Sequence, residues 1–236
     1  MIPERICLGL FSIATGISLI LLMRGYDNDA FAAILVFCVG LFQLLEFGLW
    51  NNLDCDPGGS NNKASRISYG LLWFLPAILC FSGFALAKDV IGEDSGRNFL
   101  FGIGFAHLAL ASALMPILWQ DKTTWCSQPG DNWMPEMWYM RNKTPLAPNL
   151  MILVGVLSAI LLVDPWVLGI GSLVILIGSY LVGRSADRLE KGEWFSVTML
   201  LSNSIGLWAL LVPSIRIMVY GAPEHITMPI IQPNTV

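Results

Sequence analysis

Glu46 is the carboxylate that stands clearly inside an apolar run, in Phe42-Gln43-Leu44-Leu45-Glu46-Phe47-Gly48-Leu49-Trp50. An ionisable group in hydrocarbon is costly, and by default it marks a place where an ion binds, a proton passes or a neighbouring helix is held. Gln43 precedes it by three residues, so on a helix the amide and the carboxyl share a face with Val39 and Trp50. A structural use competes with the functional one. Glu46 stands about one turn from the end of its run, close enough for the head to reach the interface or an interhelical hydrogen bond.

His107, in Phe105-Ala106-His107-Leu108-Ala109, is the intramembrane histidine. One imidazole can ligate a tetrapyrrole or transfer a proton. A bis-imidazole haem site needs a second histidine in another span, which the chain lacks, so no cofactor is expected. Ser202, Asn203 and Ser204 form a third polar spot, where hydroxyls and amides commonly join helices at about 1 kcal/mol or less each. Together with Gln43 and Glu46 these groups could line one cavity. No Ser or Cys has a basic partner for nucleophilic catalysis and no clustered His and carboxylate pattern supports a metal, so neither a catalytic residue nor an enzyme is expected.

The elements that must position these groups are seven long apolar runs, residues 6–23, 31–50, 67–87, 99–119, 149–163, 165–182 and 194–212. A hydrocarbon core of about 30 Å needs ~20 helical residues, which each run approaches. The composition agrees: 55% hydrophobic, 13% charged, mean hydropathy +0.65. The expected fold is all-α, a single integral membrane bundle of about seven transmembrane helices. The fifth and sixth runs are short and separated by Asp164-Pro165, so six spans is the fallback. The first run lacks a small-x-small cleavage site and reads as a span.

With seven spans, Arg5, Lys63, Arg66, Lys122, Arg141, Lys143, Arg184, Arg188 and Lys191 fall on the N-terminal side, against Arg24, Lys88, Arg97 and Arg216 on the other. The positive-inside bias places the N-terminus in the cytoplasm and the C-terminus on the opposite side. Cys7, Cys38 and Cys80 lie inside runs and behave as small apolar groups. Cys55 and Cys126 share a predicted side, but a reducing one, which disfavours a bridge. The only glycosylation sequon, Asn142-Lys143-Thr144, faces that side too. A net charge of -4 argues against nucleic acid as a partner.

Two connections are long. Residues 51–65 are rich in Gly and Asn, which favours turns. Residues 120–148 interleave Trp125, Trp133, Trp138 and Tyr139 with methionines, a pattern suited to the headgroup layer. That loop is either a belt holding the chain to the bilayer, the favoured reading, or a platform for a partner or lipid-like ligand. The tail, 219–236, has proline spacing that suits an extended strip lying on a partner. Small residues at Ser12 and Gly16, Gly102 and Ala106, Ala109 and Ala113, Gly155 and Ala159, and Gly171 and Gly178 predict close helix seams. Pro76 and Pro116 predict kinks.

The order Gln43, Glu46, Trp50, Cys55, Asn62, Ser65, Pro76 resembles that of a family of multi-pass membrane proteins from large DNA viruses and single-celled eukaryotes. The likeness covers about 35 residues around the second run and the following loop. Residues 192–196 read Gly-Glu-Trp-Phe-Ser, where the family has more cysteine and tryptophan. The activity of that family is itself unassigned, so the resemblance implies a helical bundle and no chemistry.

Two functional classes fit. The favoured one is a structural or accessory subunit of a larger membrane assembly, with the bilayer and other membrane subunits or copies of itself as partners. The alternative is a small channel or carrier for protons, cations or a small polar solute, built on Gln43, Glu46, His107 and Asn203. Retinal chemistry is excluded because no lysine lies in the last run.

Overall fold

The computed structural model describes residues 2–25, 28–54, 56, 58–88, 90–120, 128–129, 135–136, 146–163, 169–175 and 203–211. Five helices account for most of them: α1 (Ile2–Arg24), α2 (Asp29–Trp50), α3 (Ser60–Leu86), α4 (Glu93–Gln120) and α5 (Leu146–Leu162). Residues 169–175 and 203–211 are also helical. Between α4 and α5 two short strands, β1 (Gln128–Pro129) and β2 (Pro135–Glu136), pair antiparallel.

Four segments are long and apolar enough to cross a bilayer: Arg5–Arg24, Asp29–Trp50, Ser60–Leu86 and Glu93–Pro116. The protein is accordingly an integral membrane helical protein. Of the seven crossings expected from the sequence, these four meet the length and apolarity that a crossing needs. The fifth run forms α5, which at 17 residues is shorter than the ~20 of a full span. The sixth and seventh runs are described over 169–175 and 203–211 alone.

Helix boundaries differ from the apolar runs mainly at the N-terminal ends. Hydropathy sees the membrane, whereas a helix starts where its backbone can be capped and its chain turned. Gly59, in extended backbone (φ -65°, ψ 177°), ends the preceding turn, so α3 begins at Ser60 and carries Asn61, Asn62, Lys63 and Arg66 in helical geometry. At α4, Glu93 and Asp94 occupy the first turn, where carboxylates oppose the positive end of the helix dipole. The turn before it requires Gly92 at φ +81°, a conformation that side chains resist. Similarly Gly25, at φ +66°, stops α1, its N–H donating to the Leu21 carbonyl at 3.1 Å.

Burial separates central helices from flanking ones. The spans of α2 and α3 are 61% and 53% buried, those of α1 and α4 only 28% each. The core joins Leu21, Phe31, Leu35, Val36, Phe42, Leu49, Leu79 and Leu100 into one cluster. Outer faces of α1 and α4 expose Ile13, Leu19, Phe99 and Phe105, as helices facing lipid should. α3 uses two faces. Asn61 turns toward α2, through Asn52, and Cys80 meets Gly104 of α4 and Gly155 of α5, while Gly83 sits where the two faces converge, against Leu100 of α4, Val163 and Phe31 of α2.

The seams are not all where small residues predict them. Gly16 and Gly102 have open space where a Cβ would stand, so neither is a close approach in this fold. Tight crossings include Gly40, where a Cβ would lie 2.9 Å from Ala14, Gly155, where it would lie 2.6 Å from the Pro76 Cβ, Gly206, where it would lie 2.8 Å from Ile17, and Gly171, expected as a seam, which is pressed against Trp208. Gly155 thus serves the seam expected of it, while Gly40 went unread because no small residue stands four positions away to complete the pattern.

One end of the bundle is tied by a polar clamp. Arg24 donates to both carboxylate oxygens of Asp29, at 2.7 and 2.6 Å, and to the carbonyls of Leu210 and Ala209, at 2.9 and 3.0 Å. The Asn28 side chain accepts from the Lys88 backbone at 2.8 Å, and Arg97 caps the Phe84 and Lys88 carbonyls at 3.0 and 2.6 Å. Ile91 donates to the Leu162 carbonyl at 2.8 Å. The ends of α1, α3, α5 and 203–211 therefore meet the starts of α2 and α4 here, which is the alternation of an antiparallel bundle.

Candidate functional site

The α1–α2 connection is a tight hairpin, so residues equidistant from its turn lie level. Ala14 and Gly40 form one such pair, and Cys7 and Glu46 another. At this second level the Cys7 Sγ donates to Glu46 Oε2 at 3.6 Å. Cys7 is completely buried, Gln43 is 0% exposed and Glu46 1% exposed, so the constellation is sealed within the protein. Among the described residues the thiol is the only hydrogen-bonding partner of Glu46, and the ion pair there is Arg24–Asp29, at the opposite end.

Gln43 lies one helical turn deeper. Neither its Oε1 nor its Nε2 has a hydrogen-bond partner among the described residues. The indole Nε1 of Trp50, one turn toward the helix end, is likewise buried without one. An unsatisfied buried amide costs about 1–3 kcal/mol, and hydrocarbon supplies no water to relieve it. Among the described residues, a single stripe of α2 therefore carries an amide without a partner, a carboxyl held by one weak donor and an N–H without a partner. Such a stripe has spare acceptors and donors for a water, a proton or a small cation.

A second polar set lies on α3. Asn61 Nδ2 donates to the Asn52 carbonyl at 2.7 Å, and Ser65 Oγ to Asn61 Oδ1 at 3.3 Å. Ser68 Oγ donates to the Ala64 carbonyl at 2.9 Å, leaving its oxygen able to accept. Asn61 and Ser68 are 0% exposed and Ser65 5% exposed. In the sequence Ser65 stands out only through the resemblance carried by residues 43–76. Asn61 and Ser68 were missed because they precede or open the third apolar run and look like loop composition.

His107 occupies a different seam. It is 6% exposed and packs where α4 meets α3 and α5: a Cβ on Gly155 would stand 2.5 Å from His107 Nε2. Cys80 donates to the Gly155 carbonyl at 3.5 Å in the same junction. No described contact joins His107 to Gln43 or Glu46. Asn203 begins the helical stretch 203–211, whose Gly206 packs against Ile17 and Val36, so it belongs to the α1–α2 side. The structure thus groups Gln43 and Glu46, adds Cys7, and sets His107 apart.

Ser202, the aromatic residues Trp125, Trp133, Trp138 and Tyr139, the cysteines Cys55 and Cys126, the Asn142 sequon and the tail 219–236 lie outside the described residues. Among the described residues no group of three or more His, Cys, Asp or Glu side chains could hold a metal ion. Cys7 was read from sequence as an apolar filler. The signal for its role was available in the hairpin count, since only four residues separate α1 from α2. No protein-family model, no curated protein and no solved structure matches the chain.

Proposed function

We propose that this integral membrane protein is a small carrier or channel for protons or small cations, with Glu46 as the ion-binding carboxyl and Gln43 as its neighbouring ligand. The observation that carries the reading is the fully buried Gln43 amide with neither atom partnered among the described residues, one turn from a carboxyl held only by a thiol. A helix-joining polar pair would satisfy both groups against a neighbour, since an unmet amide in hydrocarbon opposes folding. A transport site needs the reverse, ligands whose partners come and go with the ion.

In this reading Glu46 exchanges a proton or cation, the Gln43 carbonyl oxygen or amide replaces part of the ion's hydration, and Cys7 donates to the carboxylate. The test is flux into liposomes containing the purified protein. Parent protein is expected to move protons or a monovalent cation, and Glu46→Gln to abolish the movement while leaving the helical content and detergent stability intact. Flux that persists in the variant overturns the assignment.

The accessory-subunit reading draws on a different observation, the apolar flanks of α1 and α4, which suit a helical partner as well as lipid. Parent protein that moves nothing, yet leaves its native membrane in a stoichiometric complex, favours it.

A further inference from the structure

The polar residues of α3 stand in register with Glu46. Asn52 and Asn61 are bonded across the α2–α3 connection, and Gly83 of α3 lies against Phe31 of α2 at the far end of the same pair. These two anchors agree on one antiparallel register. Counting ~1.5 Å per residue from either, Ser68 falls level with Glu46, with Ser65 one turn nearer the α2–α3 loop and Asn61 nearer still. Asn61, Ser65 and Ser68 recur at spacings of four and three, one helical stripe, and that stripe is the one whose Asn61 reaches Asn52.

Beyond Gln43, one turn past Glu46, the residues change in kind. Toward the Arg24 end, α2 and α3 bring together Phe42, Leu35, Val36, Phe31, Leu75 and Leu79, each at most 7% exposed and all in the core cluster. The Arg24–Asp29 clamp closes that end. On the loop side α3 thus sets amides and hydroxyls beside Leu49 of α2, and on the clamp side, past Gln43, these residues of α2 and α3 are apolar.

We propose that Glu46 is reached by water and small hydrated cations from one side only, the side of the α2–α3 loop, along Asn61, Ser65 and Ser68. This rests on the reading of Glu46 as the ion site and adds its direction of access and the residues that line it. Hydroxyl and amide oxygens replace the hydration shell of a cation in steps, and each step is short enough for a proton to pass along an intervening water. Cys7, Glu46, Asn61 and Ser68 are at most 1% exposed, so the described state is closed at both ends; the polar loop side is the one that opens to water, and crossing requires the apolar layer to open as well.

Cys7, bonded to Glu46, is a native reporter of access. A trimethylammonium-bearing methanethiosulfonate that does not cross bilayers is added to one face of vesicles holding the full chain in known orientation. The Cys7 thiolate attacks the reagent sulfur, forming a mixed disulfide and releasing methanesulfinate, and peptide mass mapping separates Cys7 from the other cysteines. Modification of Cys7 is expected from the loop side and not from the clamp side, with Cys38 and Cys80 inert from both. Ser68→Leu is expected to slow it about tenfold, equivalent to ~1.4 kcal/mol against entry.

Modification from the clamp side, equal modification from both faces, or none until the protein is unfolded overturns the one-sided route. Because the first experiment uses the parent chain, a variant that misfolds does not remove the test. The two readings fail separately. One-sided labelling without ion flux removes transport and keeps the route, while flux that depends on Glu46 with Cys7 inert removes the route and keeps transport.

Discussion

Arg24 and Asp29, at the end of α1 and the start of α2 with four residues between them, face each other, guanidinium to carboxylate, at 2.7 and 2.6 Å, and the same guanidinium reaches the carbonyls of Ala209 and Leu210. The pair binds the α1–α2 hairpin to the end of 203–211, close to two hundred residues along the chain. It is a polar tie between the two ends of the sequence, beside the apolar packing of Gly206 on Ile17 and Val36.

Loss of either partner should leave a charge in a place mostly shielded from water, since the Asp29 side chain is 6% exposed and that of Arg24 19%. Asp29→Asn and Arg24→Met are each expected to cost roughly 2–4 kcal/mol, and Arg24→Lys part of that, because an ammonium cannot form the two-pronged contact. The double replacement Arg24→Met with Asp29→Asn should cost less than the two singles added together. Denaturant unfolding in detergent or bicelles, read as a double-mutant cycle, measures the coupling. Additive costs would show that the clamp contributes little.

Gly155 is expected to tolerate no side chain. Gly155→Val would drive a Cβ into the His107 ring and Pro76, and should cost about 1–3 kcal/mol by overpacking. His107→Ala in the same chain should recover part of the loss, because the ring is the neighbour that yields. Thermal unfolding of the three variants checks this. An unchanged melting temperature for Gly155→Val would mean that α5 does not pack on α4 as described.

Gln43→Leu is expected to raise stability by about 1 kcal/mol or more, since it exchanges an amide without described partners for an apolar group of similar size. The same change should reduce ion movement. Stability gained as function is lost is the mark of a functional polar group, not of a structural one. If Gln43→Leu unfolds the protein, the amide is holding a helix and the site assignment fails.

Much of this architecture was legible in the sequence, and the reasons for what was not are physical. Apolar runs show where a chain meets hydrocarbon, so the four long spans and the shared face of Gln43 and Glu46 could be read directly. Partners across helices could not. Cys7 reaches Glu46 only because Gly25 and Asn28 make the hairpin tight, and Arg24 meets Leu210 only because the last helical stretch returns parallel to α1. Small-residue spacing at Ser12 and Gly16 looked like a seam, yet Gly16 faces open space. Spacing says that two backbones could approach, not which face the rest of the bundle will cover. Asn61 and Ser68 were hidden for another reason: a helix can begin well outside the apolar layer, and polarity there reads as loop.

Asn61→Ala should loosen the α2–α3 connection by about 1 kcal/mol, the net value of a hydrogen bond such as that to the Asn52 carbonyl. Hydrogen exchange at residues 60–65 is the sensitive readout, with faster exchange confined to the start of α3. Uniform acceleration across α3 would place the effect elsewhere.

The most direct test of the central claim is ion flux into liposomes carrying the parent protein beside Glu46→Gln. A proton or monovalent-cation current in the parent, absent from the equally folded variant, is the expected result. Equal currents in the two, or none in the parent, would contradict a transport role for the buried carboxyl.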